Sequence, residues 1–248
     1  MRASGISSRW IHRYHPSDEA RVRLICFPHA GGSASFFYPF SRGLASSIEV
    51  LAVQYPGRQE RRTEPLIDDL IELADRISEE LPAWLDRPTA FLGHSMGASL
   101  AFEVARRLER NGSRIECLLL SGRQAPRPSA HGGARILGDD ELVEEMRKLS
   151  GTNDAVLEDP EIVRMVLPAI RSDYRALATY RYLDGGDVSC PIVALVGDKD
   201  PKVTVEGAKA WCEFTSGLFR LEVFPGGHFF LSDHESDFLA AIADHVAA

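Results

Sequence analysis

The segment Gly93-His94-Ser95-Met96-Gly97 has the form G-x-S-x-G, and it lies where a short apolar run ending near Leu92 gives way to helical periodicity beginning at Met96. A serine on so tight a strand-to-helix turn sits in a strained backbone conformation. Small flanking residues are needed because a Cβ there would collide with the neighbouring strand and helix. Both flanks are glycine. The helix N-terminus just beyond offers unpaired N–H groups and a positive dipole end to a developing oxyanion. Such a serine becomes a nucleophile only when a base takes its proton. Of the eight histidines, His12 and His15 lie in the N-terminal segment, His131 in a loop and His245 near the chain end. His94 flanks the serine as a packing or hydrogen-bonding residue. His228 follows the last strand-like run through Pro225-Gly226-Gly227, a loop that can carry an imidazole over a sheet edge, and is the expected base. His234, placed inside the terminal helix, is the alternative. The imidazole in turn needs a carboxylate to fix its tautomer and stabilise its charged form. Gly197-Asp198-Lys199-Asp200-Pro201 supplies two. Asp200 is preferred because it lies further along the loop, before a proline that disfavours helix at its position, leaving Asp198 as a turn or capping residue. Sequence alone leaves both aspartates open. Ser121-Gly122-Arg123, at the end of the preceding strand, offers no carboxylate. The chemistry these residues could perform is acyl transfer through a serine nucleophile.

Positioning such a set requires strand ends that converge. Short apolar, β-branched runs alternate with longer segments of helical period, which predicts an α/β fold with a mostly parallel sheet covered by helices. Strands are expected near residues 10–12, 22–27, 50–54, 89–92, 115–120, 192–196 and 220–224, several of them apolar throughout, as a strand covered on both faces must be. Helices are expected over 70–85, 96–111 and 232–247, each with apolar residues on one face. Asn111-Gly112 closes the second with a left-handed cap. Residues 123–189 contain no convincing strand, far more than an ordinary crossover, and read as a helical insertion into a core of 1–122 and 190–248. It opens with a Pro/Gly/Ala-rich loop over 124–138. A helix over 139–149 follows, and another starts after Asp159-Pro160, an acidic N-cap with proline at the first helical position, and runs toward Tyr182. This insertion is expected to be a lid over one end of the sheet, the alternative being a helical subdomain with no role in access.

The chain has 248 residues, 44% hydrophobic and 26% charged, which predicts one large soluble domain or two small ones. With 28 basic against 36 acidic side chains the formal charge is −8, so nucleic acid is an unfavourable partner without a segregated basic face. No run is long and apolar enough for a membrane span. The opening residues lack the apolar region and cleavage site of a secretory signal, making the cytosol the expected compartment. Cys26, Cys117, Cys190 and Cys212 form no CxxC pair and read as buried thiols rather than disulfides or metal ligands. No GxGxxG or Walker-type loop follows the first strand, so no nucleotide cofactor is expected, and no metal.

The chain order Ser95, Asp200, His228 is that of the α/β-hydrolases, whose second oxyanion donor comes from the loop after an earlier strand. Here that loop is Phe27-Pro28-His29-Ala30-Gly31-Gly32. The expected oxyanion donors are the amides of Ala30 and Met96, with Gly31 as a substitute. FPHAGG (27–32), YPGR (55–58), GHSMGA (93–98), GDKDP (197–201) and PGGHFF (225–230) together make the chain resemble the type II thioesterases, stand-alone partners of polyketide synthases and nonribosomal peptide synthetases. The motifs span most of the chain in order; the insertion and the first dozen residues carry none of them. The resemblance implies that Ser95 attacks an acyl thioester on the phosphopantetheine arm of an acyl or peptidyl carrier protein, with His228 as base, releasing stalled or wrong acyl groups. It implies no cofactor beyond the arm that the substrate carries. An acidic carrier would need local basic or apolar patches on this acidic chain. Arg58, Arg61 and Arg62 form one candidate cluster and Arg123 with Arg127 another, the alternative being solvated surface arginines. Phe36, Phe37 and Tyr38 could line an acyl slot or belong to the core. A general carboxylesterase, a cyclising thioesterase and a receptor with a vestigial triad remain alternatives. A free-standing chain favours hydrolysis over cyclisation.

Overall fold

A computed structural model describes residues 8–126, 136–149, 159–182 and 186–246. His131 and Arg127 lie outside the described residues, as does most of the 124–138 loop. The strands are β1 (Ile11–His12), β2 (Val22–Phe27), β3 (Ile48–Val53), β4 (Thr89–His94), β5 (Leu118–Ser121), β6 (Ile192–Gly197) and β7 (Phe219–Phe224). The helices are α1 (Tyr38–Leu44), α2 (Leu70–Glu80), α3 (Met96–Arg110), α4 (Asp139–Leu149), α5 (Pro160–Thr179), α6 (Val205–Lys209), α7 (Phe230–Asp233) and α8 (Glu235–Val246).

The strands form one sheet in the order β1-β3-β2-β4-β5-β6-β7. Only β1 runs antiparallel to its neighbour; every other pair is parallel. Alternate side chains feed two apolar layers, as the strand period of two requires. Ile25 and Phe27 pack with Leu73 and Ile77 of α2 and Leu100 and Val104 of α3. Leu24 and Cys26 face the opposite layer with Phe40 of α1 and Phe238 and Ile242 of α8. From β2 the chain steps outward to β3, then crosses back to β4 on the other side of β2. The loops leaving β2 and β4 therefore diverge at their C-terminal ends, where a doubly wound sheet opens a crevice. Parallel pairing of Phe27 with Gly93, His94 with Ser121 and Gly197 with Phe224 brings the strand ends of this half to one edge.

Several boundaries depart from the periodicity. β3 begins at Ile48, ahead of the expected residue 50, because Glu49 is a buried strand residue held by Arg13 and Arg23. β5 begins at Leu118, after a buried Ile115. α2 stops at Glu80 and continues as a 3₁₀ turn over Leu81–Trp84, since Pro82 has no N–H for the helical ladder. The terminal helix is broken at His234, with φ −123° and ψ 45°, so that residue lies between α7 and α8 rather than inside one helix. α5 ends at Thr179, before Tyr182. Its start is built as the sequence implies, with the Asp159 carboxylate accepting from the N–H groups of Glu161 and Ile162 at 2.8 and 3.3 Å. Leu142 of α4 packs with Leu167 and Ile170 of α5 in a small core of their own. All four cysteines are unpaired, three buried and Cys212 exposed. Among the described residues no helix is long and apolar enough to cross a membrane.

Candidate active site

Ser95 caps α3 with φ 55° and ψ −115°, a conformation that non-glycine residues rarely adopt. The geometry is forced from both sides. A Cβ on Gly97 would stand 1.9 Å from the Phe27 carbonyl oxygen, and one on Gly93 would stand 2.2 Å from that of Gly97. The Ser95 N–H donates to the Ser121 carbonyl at 2.8 Å, which ties the turn to β5. Met96 opens α3, where first-turn amides have no acceptor within the helix.

His228 is buried, and its Nδ1 lies 2.8 Å from Asp200 Oδ2. With a carboxylate as acceptor, Nδ1 carries the proton and Nε2 keeps its lone pair. The other oxygen of Asp200 accepts from the Lys202 and Val203 N–H groups at 2.8 and 3.3 Å, so the carboxylate is fixed in a turn at the end of β6. Asp198 instead accepts from the Gly226 N–H at 2.8 Å and joins the β6 loop to the loop that carries His228. Of the two aspartates, Asp200 reaches the imidazole. His234 lies at the α7–α8 break, while His228 shares a cavity with Ser95.

That cavity holds about 420 Å³. Ala30, Ser95, Gly122 and His228 border it from the sheet, Leu137, Glu145 and Leu149 from the α4 segment, and Tyr174, Leu177 and Ala178 from α5. Lys202, at its edge, pairs with Glu145 and so links α4 to the β6 loop. Of the expected oxyanion donors, Ala30 borders the cavity and Met96 follows the serine. The substitute donor Gly31 does not serve: its N–H is already given to Asp173 Oδ2 at 2.7 Å.

Two further histidines surround the pair. His94 is fully buried, with Nδ1 3.0 Å from the Ser121 hydroxyl and its ring centroid 5.0 Å from that of His228. Burial, then the neighbouring His228 and His29, holds it well below the ordinary histidine range. His29 packs edge-on against Phe36 and Phe229, and burial, with His228 and Arg58 adding to it, pushes it down to about 3. Both imidazoles stay neutral, so neither puts a fixed positive charge beside His228.

The first arginine cluster is not what the sequence suggests. Arg58 and Arg61 are buried, the first paired with Asp173 and the second with Glu64 and the Gln54 carbonyl, leaving Arg62 exposed. Arg123 borders the cavity. Phe37 is a core residue, Tyr38 is exposed and Phe36 packs on His29; none of the three borders the Ser95 cavity. Asp173 is the residue that sequence reasoning missed. Its signal was a carboxylate in the buried stripe of α5, three residues after Ile170 and three before Ala176.

A switch-point sheet, a serine on a strained strand-to-helix turn and a carboxylate-oriented imidazole on later strand ends define an α/β-hydrolase. The sequence matches the thioesterase-domain family over residues 22–248, and the chain belongs to that family. It is 50% identical over 232 residues to a probable cadicidin biosynthesis thioesterase of Streptomyces griseus, spanning 94% of this chain and 64% of that one. Identity to the thioesterase PikA5 of Streptomyces venezuelae is 47% over 242 residues, 97% of this chain and 86% of that one. Among solved structures, the type II thioesterase BorB from the borrelidin biosynthetic cluster matches with a TM-score of 0.89 and 51% identity, covering 97% and 99% of the two chains.

Proposed function

We propose that this protein hydrolyses acyl thioesters held on the phosphopantetheine arms of acyl or peptidyl carrier proteins, clearing stalled or aberrant groups from polyketide or nonribosomal peptide assembly lines. The observation that carries the chemistry is the Asp200–His228 bond at 2.8 Å beside a cavity shared with Ser95. The similarity to thioesterases of biosynthetic clusters carries the substrate class. Ser95 Oγ attacks the thioester carbonyl while His228 Nε2 takes its proton. The Ala30 and Met96 N–H groups receive the oxyanion. Collapse breaks the C–S bond, and the leaving thiolate takes the proton from His228. A water activated by the same imidazole then releases the acid. The helical insertion is the lid of this cavity, since α4 and α5 supply its outer wall. Unpaired cysteines agree with a reducing compartment, the cytosol.

The test is release of one acyl group from a carrier protein, a small thiol and an oxygen ester, by parent and Ser95→Ala protein. The expected result is turnover that favours the carrier and falls on the order of 10⁴-fold or more in the variant. Preference for the oxygen ester would make the protein a carboxylesterase, and Ser95-independent or absent turnover would overturn the reading.

A further inference from the structure

Asp173 lies on the inner face of α5 with its side chain 1% exposed. One carboxylate oxygen, Oδ2, collects two donors from different parts of the chain. They are the Gly31 N–H at 2.7 Å, in the loop after β2, and the Arg58 guanidinium, in the loop after β3. Arg58 also donates to the Pro56 carbonyl at 2.6 Å and lies 5.3 Å from the centre of the Tyr55 ring, whose hydroxyl donates to the Pro28 carbonyl at 3.0 Å. The circuit closes on the loop where it began. It joins the helical insertion to the segment that carries Ala30.

The backbone of that segment explains why the contact matters. Gly32 N–H donates to the His29 carbonyl at 2.9 Å, so residues 29–32 form a β-turn. Gly31 has φ +77° and Ala30 is not in the positive-φ region, which makes it a type II turn. Types I and II differ by a flip of the central peptide, here Ala30–Gly31. The N–H of that peptide is the one Asp173 holds. One helical turn earlier, Ile170 Cγ1 stands 2.8 Å from where a Gly31 Cβ would be, so α5 packs directly on the turn.

We infer that Asp173 is a positioning residue for the reaction: by holding the Gly31 N–H it locks the 29–32 turn against α5, and so fixes the adjoining His29–Ala30 peptide, whose N–H is the one offered to the oxyanion, which makes the seat of α5 part of the catalytic apparatus. The inference rests on the acyl-transfer reading of Ser95 and His228. Arg58 completes the device, because an unneutralised carboxylate so near would oppose the developing negative charge. Asp173 and Ile170 thus couple the seating of α5 on the 29–32 turn to oxyanion stabilisation.

Asp173→Asn and Asp173→Ala separate this role from a structural one. Both remove the charge and leave Arg58 without its ion pair, so both lower the thermal midpoint. Only asparagine keeps an acceptor for Gly31. Among the described residues Asp173 Oδ1 has no partner, so the amide nitrogen can take its place without displacing a donor. Each variant is assayed for kcat and KM on a small acyl thioester and for the rate at which a fluorophosphonate labels Ser95, since the phosphoryl oxygen uses the same amides. In Asp173→Ala, kcat and labelling are expected to fall about ten- to a hundredfold, somewhat less than outright loss of an oxyanion donor, with KM within about threefold. Asp173→Asn recovers most of the loss despite its lowered stability. If the alanine variant does not fold by circular dichroism, Asp173→Ser, too short to reach Gly31, takes its place. Turnover and labelling within twofold of the parent, or an asparagine variant as impaired as the alanine one, would overturn the inference. If the parent hydrolyses no thioester but labelling falls in Asp173→Ala and recovers in Asp173→Asn, the positioning role stands and the substrate reading fails.

Discussion

Asp198 and Asp200 stand two residues apart on one loop, and both accept hydrogen bonds, yet their tasks are separable. Asp200 orients His228, whereas Asp198 ties the loop to Gly226. Asp200→Asn is therefore expected to lower kcat by on the order of 10⁴-fold, because the amide N–H can donate to Nδ1 and leave the imidazole proton on Nε2, the wrong tautomer for a base. Asp198→Asn should leave kcat within about threefold, since an exposed turn bond contributes little. Steady-state kinetics on one thioester checks both, and similar losses would mean that the two carboxylates share the imidazole. That Asp200 would meet His228 and that His228 would share a cavity with Ser95 was legible because each stands shortly after a strand, in a turn whose residues have restricted backbone options. Asp173 was not. It belongs to another element, and nothing local announces that its partners are an amide 142 positions away and an arginine 115 positions away.

At the scale of elements, β2, β6 and the start of α5 were read nearly to the residue, because apolar continuity or a capping aspartate marks their limits. Elsewhere the sequence misled for physical reasons. Glu49 looks like a strand terminator until Arg13 and Arg23 are seen to neutralise it, and the terminal helical pattern continues across His234 although the backbone does not. The seat of α4 depends on Lys202, whose ion pair with Glu145 spans from the β6 loop to the insertion at the cavity edge. A partly exposed pair of this kind contributes about 1 kcal/mol or less, enough to shift the proposed gating by α4 a few-fold. Lys202→Ala should accordingly raise kcat/KM for a long acyl thioester about two- to fivefold relative to acetyl, with Ser95 labelling by a small fluorophosphonate nearly unchanged. Equal effects on long and short acyl groups would count against gating by α4.

For the whole molecule, the sheet concentrates its functional residues at one edge, and that concentration has a cost in titration. His94 stands between two other imidazoles, its ring centroid 6.0 Å from that of His29 and 5.0 Å from that of His228. His94 is held well below 6.5 and His29 at about 3, in both cases chiefly by burial. A histidine whose folded value is lowered binds fewer protons in the native state than in the unfolded chain once the pH drops below the unfolded value. Its contribution to stability is therefore complete above about pH 7.5 and is lost as the pH falls through about 6.5. Each such histidine adds a slope of up to about 1.4 kcal/mol per pH unit. The lowered carboxyls Glu49, Glu60 and Glu64 act in the same direction but only as the pH drops below 4.5, while Asp173, raised by burial, acts in the opposite direction and offsets part of the loss. Urea unfolding between pH 7 and 5 should show stability falling as the pH drops, with a slope of at most about 2.7 kcal/mol per unit. His94→Asn, whose amide can still meet the Ser121 hydroxyl, should make that fall clearly shallower. An unchanged slope in the variant would mean that His94 takes up its proton without unfolding, and that the edge of the sheet tolerates its charge.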